Sequence, residues 1–397
     1  MGYWSKLSRT QYAWLAGTAV AMCAVVAIGW ALQPRSKEAI PEGITTAMSL
    51  REIAPRLKTT GKALARELEL PLSTSMRTPV SELGISEQTL NETVVHLASH
   101  HGTGLKYFVF AALVLGGLVF LTQLGRPADS PSSERRRWYP RTPYILALLV
   151  AAGVCGFALG KSPNPMEGAV KLFKAMVGLQ PSVPAVVLAF MFFAALAVVG
   201  NKLVCGWACP FGALQELVYS LPLLRSLKRR KVPFVLSNSI RAGLFVLMLL
   251  LLFGVVGGRR GFVLYHGINP FNLFNLEFES LSMLLTVVAA LVLSLGVYRP
   301  FCQFICPFGL ISWVLERVSL NRIKVDHSRC NQCGSCIRAC PLEAAKHLVA
   351  GKLLAADCYS CARCLTVCPS DAISYGSVFS SRPPSLTQPP REGVPET

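Results

Sequence analysis

The sequence predicts a mainly α-helical membrane protein of about six transmembrane helices with an internal two-fold repeat, closed at its C-terminal end by a small α+β domain. Three observations carry that prediction: six long apolar runs, a cysteine motif that recurs at a fixed offset, and eight further cysteines packed into two short stretches. Of the 397 residues, 52% are hydrophobic and 15% charged, which is too apolar and too charge-poor for an ordinary soluble domain of this length. Lys and Arg exceed Asp and Glu by 39 to 21. Such an excess fits nucleic acid, anionic lipid or the cytoplasmic loops of a membrane protein, and the apolar runs select the last.

The runs fall at about 12–32, 107–125, 144–160, 183–200, 240–257 and 281–297, each near the length a helix needs to cross a hydrocarbon core of roughly 30 Å. Lys6 and Arg9 precede the first as they would a signal peptide, but its apolar run outlasts the usual signal-peptide core, so residues 1–34 read as an uncleaved N-terminal anchor. Short loops rich in Lys and Arg stay on the cytoplasmic side during insertion. The 126–142 loop holds Arg126, Arg135, Arg136, Arg137 and Arg141, and the 201–240 loop holds Lys202, Arg225, Lys228, Arg229, Arg230 and Lys231. Both should be cytoplasmic, which places the chain in a bacterial inner membrane as a multi-pass protein with both termini inside.

Residues 35–105 then form a small outer, periplasmic domain. Ser49-Leu50-Arg51-Glu52 matches a capping box, and Ile53, Leu57, Leu64 and Leu68 recur at helical spacing, so a few short helices are expected. The rhythm is loosely that of a helix-turn-helix, but the charges are balanced and the expected side of the membrane is the wrong one for DNA. No nucleic-acid partner is expected. Residues 379–397, rich in Pro and Ser without apolar periodicity, read as a disordered tail.

Twelve of the fourteen cysteines lie in regular motifs, which favours metal ligation over disulfides. The other two, Cys23 and Cys155, sit in apolar runs and read as small buried hydrophobes. Within 323–378, Cys330-x2-Cys333-x2-Cys336-x3-Cys340-Pro341 is followed by Cys358-x2-Cys361-x2-Cys364-x3-Cys368-Pro369. This is the two-cluster bacterial ferredoxin pattern, in which three closely spaced thiolates reach one cubane and the fourth cysteine of each run ligates the other cluster. The first 4Fe-4S cluster is therefore assigned Cys330, Cys333, Cys336 and Cys368, and the second Cys358, Cys361, Cys364 and Cys340. Zinc sites built on C-x2-C pairs need neither the third cysteine nor the proline. The chain lacks a Walker motif, a G-x-G-x-x-G fingerprint after a strand and any recognisable hydrolytic triad, so no catalytic residue is assigned.

In the core, 106–322, the segments Cys205-Gly206-Trp207-Ala208-Cys209-Pro210-Phe211-Gly212 and Cys302-Gln303-Phe304-Ile305-Cys306-Pro307-Phe308-Gly309 match at one offset, 302 − 205 = 97 and 306 − 209 = 97. Each follows an apolar run, itself preceded by an Asn-Pro at Asn164-Pro165 or Asn269-Pro270. Parallel repeats related by an axis along the membrane normal would bring both motifs to the cytoplasmic face. There Cys205, Cys209, Cys302 and Cys306 could hold one further centre, iron-sulfur or copper, since soft thiolates suit either; two redox-active pairs, or simple packing beside a proline-terminated helix, are the alternatives. His96, His100, His101 and His266 fall near the outer surface and His327 and His347 in the C-terminal region, which argues against a haem held within the spans. The His100-His101 pair could meet a quinone headgroup, though solvated loop histidines are commoner.

Two C-x3-C-P motifs on a helical core followed by a two-cluster ferredoxin resemble the NapH/MauN/NosR-type membrane-bound 4Fe-4S ferredoxins over roughly residues 106–378. The resemblance implies passage of single electrons from the quinol pool, or another membrane donor, towards a periplasmic or membrane redox partner, with the twelve motif cysteines as the carried-over residues. This makes the chain an electron-transfer subunit rather than a stand-alone enzyme. The extra first span and outer domain depart from a plain NapH-type chain, and the large flavin-bearing outer domain of NosR is lacking. A related group sharing the C-x3-C-P motifs serves copper reduction during oxidase assembly, and a metal reductase or assembly factor is the alternative function.

Overall fold

The computed structural model describes residues 43–379 apart from short gaps, the longest at 125–140, together with isolated positions between 13 and 28. The first expected span is thus described only in fragments, and the expected disordered tail lies outside the described residues beyond Phe379. The chain divides into two compact units, one of them Ala27–Leu105.

In that smaller unit the helix Leu50–Arg56 begins at Ser49, whose backbone N–H donates to Glu52 Oε2 at 2.9 Å. This is the capping box the sequence announces. Ile53, Leu57, Leu64 and Leu68 share one core with Leu50, Val80, Leu90 and Val94. A contact the sequence does not announce ties the segments together: Ser49 and Pro79 form an antiparallel bridge, with Val80 N donating to Met48 O at 3.0 Å and Ser81 N to Thr46 O at 2.8 Å. The helix Glu87–His100 follows.

The larger unit is built of apolar helices. Among the described residues, Val183–Gly200 and Phe234–Phe253, with mean hydropathies of 2.5 and 2.0, are long and apolar enough to cross a bilayer, while Tyr107–Thr122, Tyr144–Ala158 and Leu281–Leu293 are apolar but shorter. Five of the six expected runs are thus helical among the described residues, two of them at bilayer length, and two boundaries move for local reasons. The run expected at 240–257 is helical over Phe234–Phe253, because Pro233 at φ −57° presets the entry and Gly254 at φ 75° ends it. The run expected at 281–297 stops at Leu293, where the Ser294 hydroxyl turns back to Ala290 O at 2.6 Å. The segment Ala151–Ala158 continues the helix Arg141–Val150 in π-helical form. Cys155 is buried there, whereas Cys23, at a helical position, is exposed rather than buried.

Both Asn-Pro pairs act as caps. Asn164 Oδ1 accepts from Glu167 N at 3.1 Å to start Pro165–Met176, and Asn269 Oδ1 accepts from Phe271 N at 3.2 Å. The cysteine domain rests on a two-stranded antiparallel sheet, β1 (Asn321–Val325) with β2 (Ile373–Ser377), in which Ile323 faces Tyr375 and Val325 faces Ile373. The last carbonyls of a helix have no partner within it. Those of Val183–Gly200 are closed by this domain: Leu320 N donates to Val198 O at 2.7 Å, Asn321 Nδ2 to Val199 O at 2.8 Å and the Tyr375 hydroxyl to Gly200 O at 3.1 Å. The small domain is thereby fastened to the end of a bilayer-length helix.

Candidate metal centres

The two cysteine stretches fold alike. Gln332 and Gly334, at φ 54° and 66°, correspond to Ser360 and Ala362, at φ 50° and 55°, by the offset of the motifs themselves, 358 − 330 = 28. Left-handed residues curl each C-x2-C-x2-C loop around a point, and a short helix follows, Ser335–Ala339 or Arg363–Val367, ending at the cysteine before proline. Cys336 lies within electrostatic reach of Cys330 and Cys368. Cys364 lies within reach of Cys358, Cys361 and Cys340, and also of Cys336. Cys330 and Cys336 thus lie near Cys368, and Cys358, Cys361 and Cys364 near Cys340. Cys340, Cys358, Cys361 and Cys364 all line one small hollow together with Pro341, Tyr298 and Tyr359.

The donor set, its soft sulfur chemistry and the hollow fit an iron-sulfur cluster. Burial pushes the Cys361 thiol up to about 11 and raises Cys336, so a metal must displace a proton to bind either. Exposed Cys333 is the reverse: the Ser335 hydroxyl, 3.5 Å from its Sγ, holds its thiol below the ordinary range.

The C-x3-C-P motifs converge as well. Cys209 is within electrostatic reach of Cys205, Cys302 and Cys306, and Cys306 of Cys205 and Cys302. The repeats exchange contacts at the constant offset. Gln215 Nε2 donates to Cys302 Sγ at 3.4 Å, and its equivalent, Ser312 (215 + 97), lies near the Cys205 thiol while its hydroxyl donates to Gly309 O at 3.1 Å. Lys202 Nζ donates to Gly309 O at 3.2 Å, while its equivalent Arg299 (202 + 97) donates to Cys205 O and, at 2.9 Å, to Gly206 O. A Cβ on Gly212 would crowd Cys205 O and Arg299 Nη1, and one on Gly309 would crowd Cys302 O and Arg241 Nη1, so both C-P-F-G glycines admit a cation to the carbonyl of the first cysteine. Among the described residues, no three His, Cys, Asp or Glu side chains close tightly enough to hold a lone ion.

The symmetry breaks where the ferredoxin loop arrives. Gly206 packs against the Tyr359 carbonyl so closely that a Cβ would overlap it, and Trp207 Nε1 donates to Ser360 O at 3.2 Å. The equivalent of Gly206 is Gln303 (206 + 97), whose side chain turns back to Tyr298 O. The loop backbone seats on the first repeat while the second meets the Tyr359 ring through Tyr298 and Arg299, and Tyr359, buried between Cys358 and Cys361, stands within reach of Cys205 and Cys302.

Sequence reasoning missed the ionic layer at this junction. Lys202, read above as a solvated loop charge, is fully buried and ion-paired with Asp357, because it sits at the repeat's seam rather than in the loop. Arg241 pairs with the same carboxylate at 3.2 Å. Glu216 takes Arg299 at 3.0 Å and also Arg363. An arginine inside an apolar run, as at Arg241, was the available signal. Of the histidines, His266 Nε2 lies 3.2 Å from Lys174 Nζ and His347 packs edge-on to Phe234; the side chains of His96, His100 and His101 lie outside the described residues.

Two family models match. One described as a 4Fe-4S binding domain covers residues 182–231, and one described as a 4Fe-4S dicluster domain covers 300–344. The first contains Cys205 and Cys209, the second Cys302, Cys306 and the whole first ferredoxin stretch. Similar proteins include the ferredoxin-type protein NapH of Haemophilus influenzae, 31% identical over 36% of this chain and 49% of that protein. The methylamine utilization ferredoxin-type protein MauN of Methylobacillus flagellatus is 30% identical over 36% and 49%, and the regulatory protein NosR of Pseudomonas aeruginosa 29% identical over 38% and 22%. The chain is a relative of the NapH/MauN/NosR-type ferredoxins. It spans about half the length of most of the curated relatives it matches, and no solved structure matches it. The matched models are 4Fe-4S domains and the relatives NapH and MauN are named as ferredoxin-type proteins, likenesses that support electron transport through iron-sulfur clusters.

Proposed function

We propose that this chain is a multi-pass electron carrier of the inner membrane that passes single electrons between a membrane donor, a quinol, and a periplasmic or membrane redox partner. In this reading Cys330, Cys333, Cys336 and Cys368 hold one 4Fe-4S cluster, Cys358, Cys361, Cys364 and Cys340 a second, and Cys205, Cys209, Cys302 and Cys306 a third centre at the mouth of the core. When bound, each cluster supplies one-electron storage. The observation that carries the reading is the seating of the Cys358–Cys361 loop on Gly206 and Trp207, which brings buried Tyr359, next to Cys358, within electrostatic reach of Cys205 and Cys302. The placement of a 4Fe-4S family model over Cys205 and Cys209 supports iron-sulfur at the third site.

The side assignment rests on the basic 201–240 loop, which touches the ferredoxin domain: Lys231 Nζ donates to Ile337 O and Phe234 N to Glu343 Oε2 at 2.7 Å. Loop and domain therefore share a face, and the positive-inside rule makes that face cytoplasmic. The residues of the chain exclude water around the membrane thiols and hold the two cysteine regions in register. Oxygen-free purification in detergent should give about twelve iron per chain, four per cluster, with interacting reduced signals at low temperature. About eight iron that stays unchanged in Cys205→Ser/Cys302→Ser would remove the third centre. Stoichiometric copper lost in the same variant would establish the copper-handling alternative instead.

A further inference from the structure

The layer between the membrane thiols and the ferredoxin loop is a concentration of buried charge. Lys202, Arg241, Arg299 and Glu216 are 0% exposed and Asp357 1%. Each buried ion costs several kcal/mol unless it is matched. The matching is short of negative charge: Asp357 serves both Lys202 and Arg241, and Glu216 serves both Arg299 and Arg363. Two carboxylates thus face four cations. A third buried carboxylate, Glu316, accepts from Asn201 Nδ2 at 3.4 Å and lies within electrostatic reach of Cys358.

The cations spend their remaining donors on the cysteine motifs. Arg299 reaches Cys205 O and Gly206 O, Arg241 reaches Cys302 O at 3.1 Å, and Lys202 reaches Gly309 O. Lys202 and Arg299 lie within electrostatic range of Cys205, Arg299 and Arg241 of Cys302, and Arg241 of Cys306. Four neutral thiols would leave this excess of positive charge unanswered in a dry interior, whereas four thiolates on a metal centre answer it.

We propose that Lys202, Arg241 and Arg299, with Asp357 as their counterweight, are positioning residues that complete the charge of an anionic centre on Cys205, Cys209, Cys302 and Cys306 and set its reduction potential together with that of the second ferredoxin cluster. This rests on the reading that the four thiols hold a cluster. Each uptake of one electron makes such a centre more negative by one charge, so surplus cations favour its reduced form and raise its potential. Asp357 immediately precedes Cys358 and lies within range of Cys302, so its charge bears on both centres. The first ferredoxin cluster, on Cys330, Cys333, Cys336 and Cys368, lies outside the layer and serves as internal reference.

The test is a redox titration of the full-length protein in detergent, read by low-temperature EPR, with iron counted on the same samples. Asp357→Asn should move the potentials of the third centre and the second cluster positive, and Lys202→Met should move them negative. The double variant, which restores the charge balance, should return close to the starting value, and the first cluster's signal should stay in place throughout. Where Asp357→Asn fails to accumulate, Arg241→Lys against Arg241→Met gives the same contrast, unchanged against negative. Shifts of equal sign in both single variants, or no shift with the third centre's iron present, would overturn the charge proposal and leave the third centre standing. Wild-type protein with iron for only two clusters would overturn the third centre and the proposal with it.

Discussion

Gly206 is the position at which a single methyl group tests the junction between core and ferredoxin. It lies in the π-helical segment Val204–Ala208, pinned by Cys209 N to Val204 O at 2.8 Å on one side and by the Arg299 and Tyr144 donors on its own carbonyl, at 2.9 and 3.3 Å, on the other. The obstacle to a Cβ is the Tyr359 backbone carbonyl, not the loose end of a side chain, so neither partner can give way cheaply. Overpacking of this kind costs about 1–3 kcal/mol, and lifting the loop also forfeits the Trp207–Ser360 hydrogen bond, worth about 1 kcal/mol. The sum for Gly206→Ala is about 2–4 kcal/mol, which at the usual few degrees per kcal/mol lowers the thermal midpoint on the order of 10 °C. Gly243→Ala is the control: nothing lies within 4 Å of its Cβ in the helix Phe234–Phe253, so it should gain up to about 1 kcal/mol of helix propensity. The assay is thermal loss of cluster absorbance in detergent. A Gly206→Ala protein as stable as wild type, beside a Gly243→Ala protein that behaves as expected, would show that the loop does not sit on Gly206.

The Tyr359 ring fills the junction, but its hydroxyl has no hydrogen-bond partner among the described residues; Tyr359→Phe should melt within about 1 kcal/mol of wild type, while Tyr359→Ala should lose about 3–5 kcal/mol by the same absorbance assay. Glu216→Gln leaves Arg299 facing a neutral amide at a fully buried site and should cost about 3–5 kcal/mol, partly restored by adding Arg299→Met; a double variant no better than the single would contradict the pairing. In the smaller unit, the Ser49 N–H holds the Glu52 carboxyl below its ordinary range, so its contribution is in place above the ordinary glutamate pKa and is lost as the pH falls through the lowered folded value. The protection of the amides within Leu50–Arg56, taken relative to their intrinsic exchange rate at each pH, should therefore fall on acidification in the wild type and show no such step in Glu52→Gln.

The cysteine regions were legible because ligand spacing is a covalent constraint: C-x2-C-x2-C-x3-C-P states which thiols share a loop, and the offset of 97 states which halves of the core correspond. The helix Val183–Gly200 was read to its ends because its apolar run is flanked by nothing ambiguous. The start of Phe234–Phe253 was missed, since Ser237, Asn238 and Arg241 interrupt the hydropathy while packing beneath the ferredoxin domain hides Ser237 and Arg241 from solvent. The same tertiary burial hid Lys202, Arg299 and Asp357, whose partners lie 155 and 83 positions away in the chain or come from the opposite repeat. Local sequence carries no trace of a pairing over such separations, apart from the equivalence of Lys202 and Arg299 at the repeat offset.

The closure of Val198, Val199 and Gly200 carbonyls by Leu320, Asn321 and Tyr375 has a kinetic corollary. A carrier head on a tether must swing between its donor and its acceptor, and its turnover slows as the solvent thickens. Here the head is bolted to the bundle by hydrogen bonds to three main-chain carbonyls on one side and by the Gly206 seat on the other, so in the proposed carrier the gaps an electron crosses within the molecule are fixed at folding. Internal transfer should then be indifferent to viscosity, and any drag from added glycerol should fall on the diffusional encounter with outside partners alone.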